Sequence, residues 1–314
     1  MANLALGFKG FAKVNGDVLP FTRCTIAARH NTLEDEGVHG GGASGVGDQY
    51  HSEILAATGP IFYDGDFDTY IFGGSGDYAT ALRAIITNAI TTTRDAGFAT
   101  GAGFVINMGT TSTYEYPGNE SECENKAIVN SLSIRGASEA LVTFSANIWS
   151  TTRRAGGSAP AVGDYTYEDP CRQATDDDYN PLPYHGAILT FSGGCSIAPE
   201  LASEIITNWE LTVTNNAVRI VTFNNSLYAK DIGVGIMQVT GNFQYYGPAG
   251  VFTDGDDMYH GTTLTINLQS MTLTIPFLWL EERPVESAGR NEIVQRTINF
   301  RGLATSSQAA LVLT

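Results

Sequence analysis

Leu132-Ser133-Ile134, followed past Arg135-Gly136 by Leu141-Val142-Thr143-Phe144, alternates apolar and polar side chains. Leu211-Thr212-Val213, followed past Asn215-Asn216 by Ile220-Val221-Thr222-Phe223, does the same further along the chain. Laid over each other without a gap, Leu132 falls on Leu211, Ile134 on Val213 and Leu141 on Ile220. A period of two is the signature of a strand with one face buried. Val, Ile, Thr and Phe fit a pleated surface, and the breaks fall at Gly or Asn, which accept the left-handed backbone of a tight turn. Each stretch therefore reads as a β-hairpin, and the pair as one unit used twice. In the second copy Leu211, Val213, Ile220 and Thr222 are assigned to the core. Trp209, Thr212, Thr214 and Arg219 are assigned to the opposite side, so Thr212 and Thr214 become candidates for an outward or channel-lining face.

The chain around these hairpins is long enough for about two domains. With 314 residues, 43% hydrophobic, and 35 glycines, it reads as a mainly β protein with well-filled cores and many turns. The formal net charge of −16 argues against adhesion to nucleic acid or anionic membranes, both of which require Lys and Arg. The four cysteines, Cys24, Cys123, Cys171 and Cys195, form no Cys-x-x-Cys pair; buried free thiols are the expected state. The first residues do not read as a signal peptide, and no apolar run reaches the about 20 residues of a membrane helix. No membrane anchor is expected.

From the start, Leu6 to Ala28 reads as strand, Asn15-Gly16-Asp17 turn, and strand. Arg29 to Gln49 is polar, acidic and glycine-rich, a long patternless loop of the functional kind. Tyr50 to Thr69 is strand-like. One helix follows, capped by Asp77, with Tyr78, Leu82, Ile85, Ile86 and Ala89 on one face. Ser150 to Asn180 changes composition, with Arg153 to Pro160 linker-like and Asp176-Asp177-Asp178 a solvated run. The resulting division is a first β domain over 1–155, a linker over 156–180 and a second β domain over 181–314, the helix being clear only in the first. Leu182-Pro183-Tyr184 echoes Leu19-Pro20-Phe21 at the start of the second domain. Thr262 to Gln269 pairs with Met271 to Leu280, with a bulge or edge at Pro276.

Candidate chemistry is sparse. The five histidines have no metal-ligand spacing. Asp64-Gly65-Asp66-Phe67-Asp68 resembles the opening of a calcium loop, but Ser75 stands where its bidentate acid belongs; a turn is the preferred reading, as for Asp254-Gly255-Asp256-Asp257. There is no nucleophile elbow, kinase or dinucleotide motif. Trp149, Trp209 and Trp279 are read as core or interface residues. No catalytic residue, metal or cofactor is expected.

Ile128-Val129-Asn130-Ser131-Leu132-Ser133-Ile134 with Leu141 to Ala146 resembles the middle of a bacteriophage tail tube protein. So do Ile206 to Val213 with the Asn-Asn turn, and Val239-Thr240-Gly241-Asn242-Phe243. That resemblance implies β-sandwich or barrel domains, each with a flanking helix, whose inner sheets join into a barrel around a channel. It implies a structural virion protein of the phage tail, not an enzyme, assembled in the host cytoplasm with other tail proteins. Rings would stack into a tube for DNA ejection, and DNA would pass the lumen without specific binding. A two-domain chain resembles the duplicated branch, in which three copies make a ring of six domains. Arg29 to Gln49 sits where the family's inter-ring loop belongs, so Arg29, Glu34, Asp35, Glu36, His39 and Asp48 are the candidate inter-ring contacts. An acidic chain would give a lumen that repels phosphates, with acids outnumbering bases on the inner strands. Two other classes stay open: a carbohydrate-binding or hydrolytic β-sandwich, and another virion protein of the decoration or baseplate kind.

Overall fold

The structure is a computed structural model. It describes residues 11–34, 56–155, 180–193, 206–246, 262–280 and 295–314, with gaps at 16, 75, 92–96, 99–103, 108–112, 117–125, 153, 223–227 and 306–308. The described residues are mainly β, with one α-helix and a large curled sheet.

The chain starts with the hairpin β1 (Phe11–Val14) and β2 (Asp17–Pro20), turning at Asn15, whose φ is 53°. Next come β3 (Arg23–Cys24), β4 (Ala27–Glu34) and the long β5 (Ala56–Tyr70). Helix α1 spans Asp77–Ile90. β6 (Phe104–Asn107), β7 (Thr113–Tyr116), β8 (Ala127–Ala137), β9 (Thr143–Ser150) and β10 (Arg154–Ala155) follow. The later segment holds β11 (Ile188–Gly193), β12 (Ile206–Thr214), β13 (Val218–Ile220), β14 (Asp231–Gly233) and β15 (Gln238–Tyr246). It ends with β16 (Thr262–Asn267), β17 (Thr272–Leu280), β18 (Gln295–Gly302) and β19 (Val312–Leu313).

Three sheets result. The small one runs β10-β7-β6-β1-β2, and β13-β14 stands alone. The large one runs β11-β16-β17-β18-β15-β12-β8-β9-β5-β3, with β4 on β5 and β19 on β17. Its centre is the antiparallel pair β8–β12, which joins the segment before residue 155 to the one after 181. Of the linker read over 156–180, residues 156–179 lie outside the described residues. The chain returns through Leu182, whose N–H donates to the Ile71 carbonyl and whose carbonyl accepts from Val142 N–H. One apolar cluster draws on both segments, from Phe67 and Ile134 to Leu211 and Phe300.

The first hairpin forms as expected, β8 on β9 with Ile134 opposite Phe144. The second does not. Val218–Ile220 leaves the sheet and pairs with β14, while the place beside β12 is taken by β15. The cause is the anchoring of the Asn-Asn turn. Asn215 is buried, and its Nδ2 donates to the carbonyls of Ala89 and Val129, both at 2.9 Å. Asn216 takes a φ of 48° and donates to the Ile236 carbonyl. The chain is thereby turned out of the sheet, and Ile220 and Val221 are exposed rather than in the core. Trp209 is likewise corrected: it shares the buried face with Leu211 and Val213 and lies against Gly136, where a side chain would collide with its indole.

A local twofold relation survives this difference. Leu132 pairs with Val213, Ile134 with Leu211, and Ser133 with Thr212 between them. The same gapless overlay exchanges the first two pairs and leaves the third in place. It extends outward on both sides. Phe67 of β5 faces the small Ala146 of β9, and Phe300 of β18 faces the small Gly241 of β15. At Gly241 a Cβ would strike the Phe300 ring and the Glu210 carbonyl. Strand order beyond these differs, since β5 precedes β8 in the chain whereas β18 follows β15.

The apolar face of the large sheet is covered twice. In the early segment α1 and the small sheet lie on it, with Phe67 and Phe104 edge to face at 5.3 Å. In the later segment the sheet curls back on itself, so that Phe191 of β11 reaches Phe243 of β15 at 5.5 Å. β17 makes that bend at Pro276, where the pairing with β16 skips a residue as expected. Gly76, not Asp77, is the helix cap and makes no side-chain bond; Asp77 sits in the first turn, where a carboxylate suits the helix dipole. The Asp64-Gly65-Asp66-Phe67-Asp68 segment is not a turn but the middle of β5. Gly65 is required because the Thr25-Ile26 backbone passes within 2.5 Å of where its Cβ would be.

Replacing Asn215 by Ala leaves two buried carbonyls without a donor. Each such loss costs about 1–3 kcal/mol, so Asn215→Ala is expected to destabilise the fold by about 2–3 kcal/mol, read as a lower denaturant midpoint at unchanged slope; an unchanged midpoint would show that the turn is not the anchor.

Candidate functional site

The second face of the central strands β5, β9, β8, β12, β15 and β18 is polar. Cross-strand pairing aligns it in rows. One runs Asp68, Ser145, Ser133, Thr212, Thr240, Arg301. Another runs Asp66, Asn147, Ser131, Thr214, Gln238. A third runs Tyr70, Thr143, Arg135, Glu210, Asn242, Asn299. Thr212 and Thr214 thus lie at the centre of a carpet of short hydroxyl and amide groups, each half-buried among its neighbours. Alternation along β12 produces this placement, because Leu211 and Val213 take the buried face.

The acids of this face are all engaged. Arg23 Nε bonds Asp68 at 2.6 Å and its Nη2 lies 3.5 Å from Asp66. Ser145 Oγ donates to Asp68 at 2.6 Å, and Asn147 Nδ2 to Asp66 at 2.9 Å. Arg135 and Ser133 both donate to Glu210 Oε1, at 2.9 and 3.0 Å. The hydrogen bond and charge of Asp68 raise the Arg23 guanidinium above its ordinary value. Exposed pairs of this sort contribute only about 0–1 kcal/mol each to stability. Their effect is on the potential: Asp66, Asp68 and Glu210 each lie against an arginine, so these acids do not stand bare on this face. The sequence reading placed Asp64, Asp66 and Asp68 in a turn; the neighbours that hold Asp66 and Asp68 here, Arg23, Ser145 and Asn147, come from elsewhere in the chain.

At one end of the face the arrangement changes. Phe62, Asp64 and Trp149 share the polar side, and Arg219 of β13 is laid over them. Its guanidinium carbon is 3.8 Å from each of the two ring centroids, and Nη2 meets Asp64 Oδ2 at 2.5 Å. Arg29 Nε makes a charge contact with the other oxygen of Asp64. Arg219 is mostly buried, and its Nε has no hydrogen-bond partner among the described residues. The Ile61–Tyr228 bridge adds a backbone link between β5 and the same flap. Trp149 is therefore a platform for an arginine rather than a core residue. Nothing in the local sequence announces this, because Phe62, Trp149 and Arg219 are brought together only by the fold.

The flap braces the base of an arm. β5 pairs with β9 only from Tyr63 onward, and Ala56–Phe62 continues past it with β4 as partner. The two-stranded arm extends on the order of 20 Å beyond the sheet at about 3.3 Å per residue. The expected loop therefore starts later than Arg29: Arg29 and Glu34 belong to β4, Glu34 opposite Ala56. Asp35, Glu36, His39 and Asp48 lie outside the described residues, as does the acidic stretch 254–257. Cys24, on the outermost strand, is a free cysteine whose thiol is pushed up by burial and so stays protonated at neutral pH.

Among the described residues no group of His, Cys, Asp and Glu could hold a metal ion, and no helix is long and apolar enough to cross a membrane. The class defined by the fold is a mainly β protein built on a curled sheet with one polar face. The particular family is given by its sequence: residues 56–302 match the model of the phage tail tube protein family. The chain belongs to that family and is a structural component of a phage tail, one that assembles with itself and other tail proteins into the tube. No curated protein matches it.

Two double-mutant cycles separate the clamp from the surface pairs. Arg219→Ala with Asp64→Ala is expected to show a coupling of about 1–3 kcal/mol. Arg135→Ala with Glu210→Ala should stay below about 1 kcal/mol. Arg219→Lys, which keeps the charge but loses the planar stack, should also lower thermal stability. Equal couplings in the two cycles would contradict a special role for Arg219.

Proposed function

We propose that copies of this chain close into rings and that the rings stack into a tube through which DNA passes without specific contacts. The observation that carries this reading is the polar face of the six central strands, made mostly of short hydroxyl and amide groups with Arg23 and Arg135 paired to carboxylates. On one side the edge is β3 and β4; on the other, β18 pairs with β17 only from Phe300, so Gln295–Asn299 presents a free edge among the described residues. Open edges invite strand pairing, and closing a ring removes them. The polar face then becomes the lumen wall, with Thr212 and Thr214 on it. Phosphates are bound through Lys and Arg that release counterions. Arg23 and Arg135, already paired with carboxylates and set among hydroxyls and amides, give a sliding strand little to hold.

The local twofold about Ser133 and Thr212 supports a ring of six pseudo-equivalent units from three chains. In that reading 1–155 and 181–314 are the two units and 156–180 connects them. The β4–β5 arm, with Arg29, Glu34, Asp35, Glu36, His39 and Asp48 on or beyond it, reaches the neighbouring ring. The assembly takes place in the host cytoplasm, and the protein has no enzymatic role.

Electron microscopy of the purified chain tests the reading directly: rings or tubes are expected, and a monodisperse monomer would overturn it. Deleting Glu34 to Gly47 should leave a folded subunit whose rings no longer stack; normal tubes from that variant would sink the role of the arm. Thr212→Arg with Thr240→Arg should still form tubes but slow DNA delivery in assembled phage, because each unpaired arginine adds a phosphate contact. Unchanged delivery would mean that this face is not the lumen.

A further inference from the structure

The two ends of the polar sheet are not alike. The end from which the arm projects carries the β13–β14 flap, held there by Asn215 and by the Lys126–Asp231 ion pair at 2.6 Å. β13 is inverted relative to an ordinary surface strand. Its charged residue, Arg219, points inward onto Asp64 and Trp149, while Val218 and Ile220 point to solvent, Val218 at 62% exposure. Beside them stand exposed Val221 and Tyr228, and Lys230, which is exposed and has no ion pair among the described residues; its N–H donates to the Ile220 carbonyl. Exposed apolar clusters of this kind mark contact surfaces.

The opposite end carries the counterpart. The β8–β9 turn exposes Glu139, held at a φ of 64°. Its neighbour Ala140 accepts a bond from the N–H of Tyr184, which is exposed, as are Ile188 and, at the end of β15, Tyr246. One end thus offers aliphatic groups with Lys230, the other aromatic groups with Glu139, both charges without an ion pair among the described residues. The surfaces lie at opposite ends of the same strands. They cannot meet within one chain, but a second copy displaced along the strand direction brings them together.

Resting on the tube reading above, we propose that these two ends are the stacking surfaces between successive rings: the flap of one copy, Val218, Ile220 and Lys230, seats on Tyr184, Tyr246 and Glu139 of a copy in the next ring. The contact is head to tail, so it does not close on itself and propagates as a filament. The Arg219 clamp is what presents the flap, and the arm leaves from the same end, so both reach the same neighbour. Opposite charges facing each other set register, and like charges in their place are strongly unfavourable.

The test uses the full chain and charge reversal. Lys230→Glu alone and Glu139→Lys alone should each raise the concentration needed for tube formation about ten-fold or more, with rings still present by mass photometry. The double variant Lys230→Glu/Glu139→Lys should form tubes again, which no folding defect in the single variants could produce. Ile220→Asp should block stacking without rescue by either. Wild-type tubes indifferent to the single reversals, or a double variant no better than the singles, would overturn this inference alone. A wild-type chain that forms no polymer would overturn the tube reading and this inference with it.

Discussion

The pairing of β8 with β12 is the constraint on which the rest depends. It joins strands from segments separated by a long excursion of chain, and it sets the two faces of everything built outward from it. Because side chains alternate, a slip of one residue in this pair would exchange the buried and polar faces of β12. Leu132, Ile134, Leu211 and Val213 on one side, against Ser133 and Thr212 on the other, make such a slip prohibitively costly. Each fully buried aliphatic contributes about 1.5–3 kcal/mol relative to exposure. The register is therefore held by the hydrophobic side, and the polar face inherits its order from it.

That inheritance explains why so weakly interacting a surface can be so regular. The ion pairs of Arg23, Arg135 and their acids contribute little to stability, and the hydroxyls little more. They sit in rows because the strands beneath them do. Strength thus resides on the covered face, and the other carries mostly short hydroxyl and amide groups.

The Arg219 clamp belongs to a different regime. Its guanidinium is removed from water between two rings and against a carboxylate, where cation–π and ionic terms are less screened. It ties a flap from the later segment to the root of an arm from the earlier one. Asn215 does similar work a few residues before, bonding helix α1 and β8 at once. These two polar residues, rather than further apolar burial, decide where the chain goes after β12.

Residue order already discloses the β character, the helix of residues 77–90, the β1–β2, β8–β9 and β16–β17 hairpins, and an irregularity at Pro276. All of these are local: periodicity, turn residues and propensity act within a few positions. It also carries the resemblance to tail tube proteins that the family match establishes. What it leaves open is partnership. Val218 to Phe223 has the alternation of a return strand, but alternation records which face is buried and not which strand lies alongside. Asn215, bonded to residues far away in the chain, diverts it. The Asp64 to Asp68 segment has the composition of a turn, yet the passing Thr25-Ile26 backbone and arginines from distant strands hold it extended. Only the folded arrangement settles these points, because the groups responsible are close in space and remote in sequence.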